Sequence, residues 1–416
     1  MNNILRIIFL IIVLTPLSEN KEIYSRNSND INAFISGRVV DERRFPVPKV
    51  KVNIGNAEVT TDNSGKFSIP NISFPYNVTI AEKTSATAVI YKNLAINNPE
   101  LVLFGDLENK FSNYVALNIS FPKIPDGGSA VVKLISTETF ECKEATAVAG
   151  DSTIKIHVVW PVSENYINGQ VVYLLKDEKG FQTLKFTKVS IHRNDVDKKV
   201  TVSKKKGNAL ITSFVNVYQP TEKNLKTEFD VSLFFFNYNL NSGIKFSENS
   251  SGNEKTQVWV PDKVSITNKI LLRGSGLYNN GSGYTGLNYV SPGADLKLYP
   301  ESPPELFTPS DNYLGANGKT NFSYSLGSGT GIYVIEFRSE NPLLNIYVVN
   351  SDRKTNLSYL SRNEFYNGSY QFTWRVRKYI TFFNESEFVK PNVFKNDFSY
   401  KAVLYSEKRK FKTGYY

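Results

Sequence analysis

The sequence predicts an all-β protein, a tandem array of β-sandwich modules. Three observations carry this expectation. Of 416 residues, 28 are Phe and 24 are Tyr, and such rings pack well on a pleated surface beside branched Val, Ile and Thr. Apolar residues recur at every second position in short runs, the spacing that places them on one face of a strand. Clusters of Gly, Pro, Asn and Asp separate the runs, with no helical stretch between them. At this length roughly two to four domains are expected. An apolar content of 41% supplies their cores and argues against disorder.

Residues 1–25 read as a signal peptide. Arg6 precedes an apolar run at 7–17. Such a run fits a signal h-region and falls short of the about twenty residues a membrane span needs. Pro16 would end a helix there. Ser18 and Ser25 follow without a small-x-small cleavage pattern, so the cleavage position stays open. No Cys follows the run, which excludes a lipoprotein anchor. An uncleaved N-terminal anchor is the alternative.

The first module is expected at 33–106. Residues 34–40 form its first strand, and Val50, Val52 and Ile54 share one face of the second. Asp62-Asn63-Ser64-Gly65 is a turn, with Asp and Asn capping local backbone and Gly supplying a positive φ. Phe67 and Ile69 open the next strand. Asp41 and Asp62 sit in turns, where backbone capping is a more natural role than paired catalysis. The run ISGRVVDERRFPVPKVKVNIG, followed by EVTTDNSGKFSI, resembles the carboxypeptidase regulatory-like family. Gly37, Val39, Asp41, Pro46, Val50, Val52, Thr61, Asp62, Gly65 and Phe67 carry the resemblance. Two positions depart from it: Arg44 stands where the family usually has Gly, and Lys49 where Gly or Ala-like residues are usual. The resemblance implies a seven-stranded, transthyretin-like sandwich that spaces or tethers its neighbours, some relatives looking like carbohydrate-binding folds. It implies no catalytic residue.

A second sandwich is expected at 107–206, with turns at Pro125-Asp126-Gly127-Gly128 and Asp177-Glu178-Lys179-Gly180. Lys204-Lys205-Lys206-Gly207 reads as a basic turn at its end. A third sandwich, 207–299, includes strands near 209–217, 229–238, 257–260 and 266–272. Phe234-Phe235-Phe236 and Tyr238 place rings on both faces of one strand, which suits either a doubly buried central strand or an exposed ring platform. Residues 274–289 are rich in Gly, Ser, Asn and Tyr, the composition of many binding loops. A plain hairpin or linker is the other reading. Tyr278, Tyr284 and Tyr289 are its candidate ligand-binding residues.

The Pro-rich stretch at 299–305 reads as an extended linker. The module 300–385 contains TNFSYSL, GIYVIEF, LNIYVV and NGSYQFTWRVRK, and it resembles a fibronectin type III-like sandwich, with Tyr324 in place of the usual early Trp. Its last strand alternates, so Trp374 belongs in a core. A tail, 386–416, either adds an edge strand or is a loose basic end.

No catalytic, cofactor or metal constellation is legible. Cys142 alone excludes an intramolecular disulfide and an all-Cys zinc site, and His157 and His192 are too far apart in sequence to be clustered ligands. Gly327-Ser328-Gly329-Thr330-Gly331 joins two strands and lacks the Lys of a nucleotide loop. Exported small domains commonly lean on disulfides, so a chain without them fits a bacterial secreted, periplasmic or outer-envelope protein. A net charge of +10 would draw such a protein to polyanionic envelope polymers, or simply keep it soluble. Export argues against nucleic acid as a partner, and no stable membrane span is expected after signal removal. The expected function is non-catalytic binding or adhesion, toward polysaccharide or another envelope protein. A purely structural spacer and a secreted carbohydrate-active enzyme with an unrecognised carboxylate pair are the alternatives.

Overall fold

The computed structural model describes residues 33–105, 112–138, 140–203, 208–220, 222, 224–235, 243–250, 255–262, 268–298, 301–356, 369–391 and 401–414. The signal-peptide segment, the basic turn at 204–207, the start of the linker at 299–300, Phe236 and Tyr238 lie outside the described residues. The protein is all-β, built of packed sandwiches; among the described residues the α-helix is a single turn, Glu385–Phe388.

The first sandwich has seven strands. Ala33–Asp41 lies between Lys66–Ile72, antiparallel, and Glu100–Leu103, parallel. Facing them are Lys51–Ile54, Ala57–Thr60, Tyr76–Glu82 and Thr87–Leu94. Val39, Val50, Val52, Val78, Ile80 and Leu101 fill the space between, as their alternation dictates. Asp41, which ends the first strand, and Asp62, in the turn before Lys66–Ile72, both cap backbone. Asp62 Oδ1 accepts from the amides of Ser64 (2.8 Å) and Lys66 (2.9 Å), and Asp41 Oδ1 from those of Arg43 (3.0 Å) and Phe45 (2.8 Å). Gly65 has φ +72°. Arg44 and Lys49 also lie in the left-handed region, with φ of +75° and +61°. The two positions that depart from a glycine-like pattern thus keep a glycine-like backbone. Arg44 gains an ion pair with the buried Glu100, which offsets the strain of about 1–2 kcal/mol that such a residue carries.

The second sandwich sets Glu141–Cys142, Thr153–Pro161, Ser112–Ser120 and Asp197–Thr201 against Ala145–Val148, Ser129–Ser136, Tyr166–Asp177, Gly180–His192 and Asn208–Ala209. Trp160, Phe140 and Tyr173 lie in its core, and the Trp160 indole donates to the Glu164 carbonyl at 3.1 Å. The third sandwich sets Lys255–Pro261, Thr212–Tyr218 and Asp295–Lys297 against Ile244–Ser250, Leu225–Phe235, Asn268–Tyr278 and Gly283–Val290. Phe234 and Phe235, on opposite faces of one strand, are each only 1% exposed. Phe235 and Leu233 pack with Val131, Ile135, Val172 and Leu174 of the second sandwich, so this strand is buried on both sides over its last five residues, while Lys226 and Glu228 at its start are exposed.

The C-terminal sandwich sets Leu306–Thr308, Phe322–Tyr324 and Lys354–Thr355 over Gly331–Glu340, Leu343–Asn350, Gln371–Ile380 and Arg409–Thr413. Trp374 is in its core, 5.2 Å from the Phe322 ring, and Phe372 stacks on Phe411 at 5.2 Å.

Three sandwiches share one fourteen-stranded sheet. Leu343–Asn350 runs parallel to Thr87–Leu94, pairing Asn345 with Thr87 through to Val349 with Tyr91. Ala402–Tyr405 pairs with both Gln371–Ile380 and Gly283–Val290. The chain after 400 therefore supplies paired strands. Charges reinforce the seams. Glu336 Oε2 accepts from Arg375 Nε at 2.6 Å and from Arg377 at 3.1 Å, and Arg377 reaches Glu42 of the first sandwich at 3.1 Å. Arg43 bonds Glu141 of the second sandwich at 2.9 Å.

Candidate ligand-binding face

The outer face of the three-stranded sheet in the third sandwich carries an ordered set of aromatic, polar and charged groups. In TSFVNVY, Val215 and Val217 are buried, which turns Phe214, Asn216 and Tyr218 to the other face, where Phe214 is exposed, Tyr218 half-buried and Asn216 only 8% exposed. In KTQVWVP, Val258 and Val260 are buried, which turns Lys255, Gln257 and Trp259 outward. Antiparallel register sets Phe214 beside Trp259, Asn216 beside Gln257 and Tyr218 beside Lys255. On the other side, parallel pairing sets Asp295 beside Asn216 and Lys297 beside Tyr218.

The face thus reads as three rows. Trp259 and Phe214, 47% and 42% exposed, form the first. Gln257, Asn216 and Asp295 form the second, with Asn216 Nδ2 donating to Asp295 Oδ1 at 2.7 Å and Gln257 Nε2 to Asn216 Oδ1 at 3.5 Å. Lys255, Tyr218 and Lys297 form the third, and the Lys255 ammonium lies 5.4 Å from the Tyr218 ring centre. Neighbouring strands are about 4.8 Å apart and successive rows about 7 Å. The arrangement offers flat rings for stacking, and for hydroxyls the exposed Gln257 amide and Asp295 carboxylate, which the buried Asn216 holds in place. The signal for it was the valine at every second place. It becomes visible only when the strands near 209–217 and 257–260 are sorted into their two faces.

Tyr278, Tyr284 and Tyr289 belong to a paired hairpin. Tyr284 is 3% exposed and packs with Leu225, Ala402 and Leu404. Its ring lies over Gly276, where a Cβ would overlap it. Burial pushes its hydroxyl up to about 12. Tyr278 is half-buried against the same cluster. Tyr289, also half-buried, sits an odd number of residues from Tyr284 and so on the other face of the strand. The structure does not bring the three together.

The groups with chemical potential elsewhere are occupied. His157 is exposed on a strand, and its Nδ1 bonds the Tyr114 hydroxyl with the rings stacked at 5.4 Å. His192 ends the strand Gly180–His192, and its Nδ1 accepts from the Asn194 amide in the turn that follows at 3.2 Å. The Cys142 thiol is buried, and burial pushes its pKa up. The Gly327–Gly331 segment wraps a cation: the Lys378 ammonium donates to the carbonyls of Leu326 (2.8 Å), Ser328 (3.0 Å) and Gly329. A phosphate loop turns amides inward; this one turns carbonyls inward. Asp41 and Glu336 pair with arginines, and Glu385 accepts from the Ser351 amide at 2.7 Å. No group of three or more His, Cys, Asp or Glu suited to a metal occurs among the described residues, and no helix among them is long and apolar enough to cross a membrane.

No protein-family model and no curated protein matches this chain. Among solved structures it is similar to the Bacillus anthracis TIE protein, at 12% identity over 64% of this chain and 49% of that one, with a TM-score of 0.17. It is similar to a tetra-tandem repeat from the extending region of a large adhesion protein, at 10% identity over 92% and 99%, TM-score 0.17. It is also similar to BcpA, the major pilin subunit of Bacillus cereus, at 9% identity over 64% and 98%, TM-score 0.14. The chain spans about half the length of the TIE protein. Likeness at this level identifies no family.

Proposed function

We propose that this is an exported, surface-exposed binding protein that holds polysaccharide on the outer face of its third sandwich without turning it over. The observation that carries the reading is the row of Trp259 and Phe214 beside the polar row in which the buried Asn216 holds the exposed Gln257 and Asp295. Sugar rings present an apolar C–H face and a rim of hydroxyls, and these two rows match both. The face is an open sheet, and Asp295 is the one carboxylate in its rows. A glycosidase needs two carboxylates flanking the bond it cuts. The carboxypeptidase regulatory-like and fibronectin type III-like resemblances fit the same reading, as modules that present and space a binding surface. Affinity electrophoresis through gels containing soluble glycans tests it. Trp259→Ala and Phe214→Ala should abolish retardation while melting stays unchanged. Retardation that survives both substitutions would refute the site. The shared fourteen-stranded sheet favours a second reading, a stiff spacer, whose mark is an absence of saturable binding to any glycan.

A further inference from the structure

The third row names the class of polysaccharide. We infer that the face takes an acidic polymer, one carrying sugar carboxylates, a conclusion that rests on the platform reading above. Lys255 and Lys297 flank Tyr218 from the two neighbouring strands. Across two strand spacings their side chains leave the sheet about 10 Å apart, with a ring between them. Both are exposed, and neither forms an ion pair among the described residues. Elsewhere exposed lysines do find carboxylates, as Lys51 finds Glu58 at 3.0 Å. Two uncompensated cations around an aromatic ring suit a sugar unit whose ring stacks while its carboxylate meets an ammonium.

Asp295 gives the face polarity. It lies in the middle row, held by Asn216 at 2.7 Å, where it accepts hydroxyls and repels a carboxylate. A bound chain is therefore registered with its acid at the lysine row and an uncharged ring face over Trp259 and Phe214. The net charge of +10 adds long-range attraction for such a polymer.

The test uses the whole protein with polygalacturonate, alginate and hyaluronate, each beside its fully methyl-esterified form, which keeps the backbone and removes the charge. At least one acid form should bind, with its ester about fivefold to tenfold weaker, the size two exposed charge contacts supply. Lys255→Gln with Lys297→Gln should bring the acid down to its ester's affinity and leave the ester unchanged. Asp295→Asn should strengthen acid binding a fewfold. Acid and ester bound equally, with Trp259→Ala weakening both, would overturn the acidic assignment and keep the platform. An unaltered Trp259→Ala variant, or no binding to any of the six polymers, would overturn the platform and this inference together.

Discussion

Glu336 sits where the first and C-terminal sandwiches meet, and replacing it with Gln has a calculable effect. Its side chain is 10% exposed and accepts from Arg375 and Arg377, themselves 25% and 18% exposed. Breaking a buried ion pair from one side costs about 3–5 kcal/mol. Both arginines keep some solvent, and Arg377 retains Glu42 at 3.1 Å, which reduces the loss to about 2 kcal/mol. With a urea dependence of about 2–3 kcal/mol per molar, the midpoint should fall by about 0.7–1 M at pH 7. The loss should also depend on pH. Burial raises the Glu336 carboxyl, but Arg377 and Arg375 outweigh it and hold the group below its usual range. The folded pKa therefore lies below the unfolded value of about 4.3. The pair's contribution is complete above that value and disappears as pH falls through the folded pKa. Urea midpoints followed by tryptophan fluorescence from pH 3 to 8 should separate wild type and variant at neutrality and converge in acid. An equal gap at every pH, or none at pH 7, would refute the argument.

Other substitutions test the backbone and the seams. Gly65→Ala forces a Cβ against the Val39 carbonyl in a left-handed turn at φ +72°; it should lower stability by more than about 1 kcal/mol, read as a fall in melting temperature. Lys49→Gly removes the strain of an exposed residue at φ +61° and should be neutral or stabilising by up to about 1 kcal/mol in the same assay. Deleting 401–414 removes the buried Leu404 and Phe411, about 3–6 kcal/mol of burial. It also strips one of the two partners from Gly283–Val290, so hydrogen exchange should accelerate at Gly283–Gly286, the residues that pair with Ala402–Tyr405.

Period-two alternation made most of the fold legible. It placed Val50, Val52 and Trp374 inward correctly, and turn chemistry placed Asp62 and Gly65. Joining of the sandwiches was not legible, because strand partners such as Tyr91 and Val349 are set by backbone geometry between segments far apart in the chain. The same alternation held the candidate face. The composition of 274–289 is unusual for a packing reason: Gly276 and Gly283 are small there to admit the rings of Tyr284 and Tyr405. Composition reported close packing in that hairpin; the exposed rings lay in strands of ordinary composition.

The parallel seam between Thr87–Leu94 and Leu343–Asn350 has a bearing on how the protein is made. Synthesis delivers the N-terminal module long before the strand that covers its flank. Until then the 87–94 edge offers free amides and carbonyls, an invitation to pair with another copy. Contacts this remote in sequence also form slowly. The nascent chain should accordingly need shielding along that edge, and refolding at high protein concentration should yield intertwined oligomers.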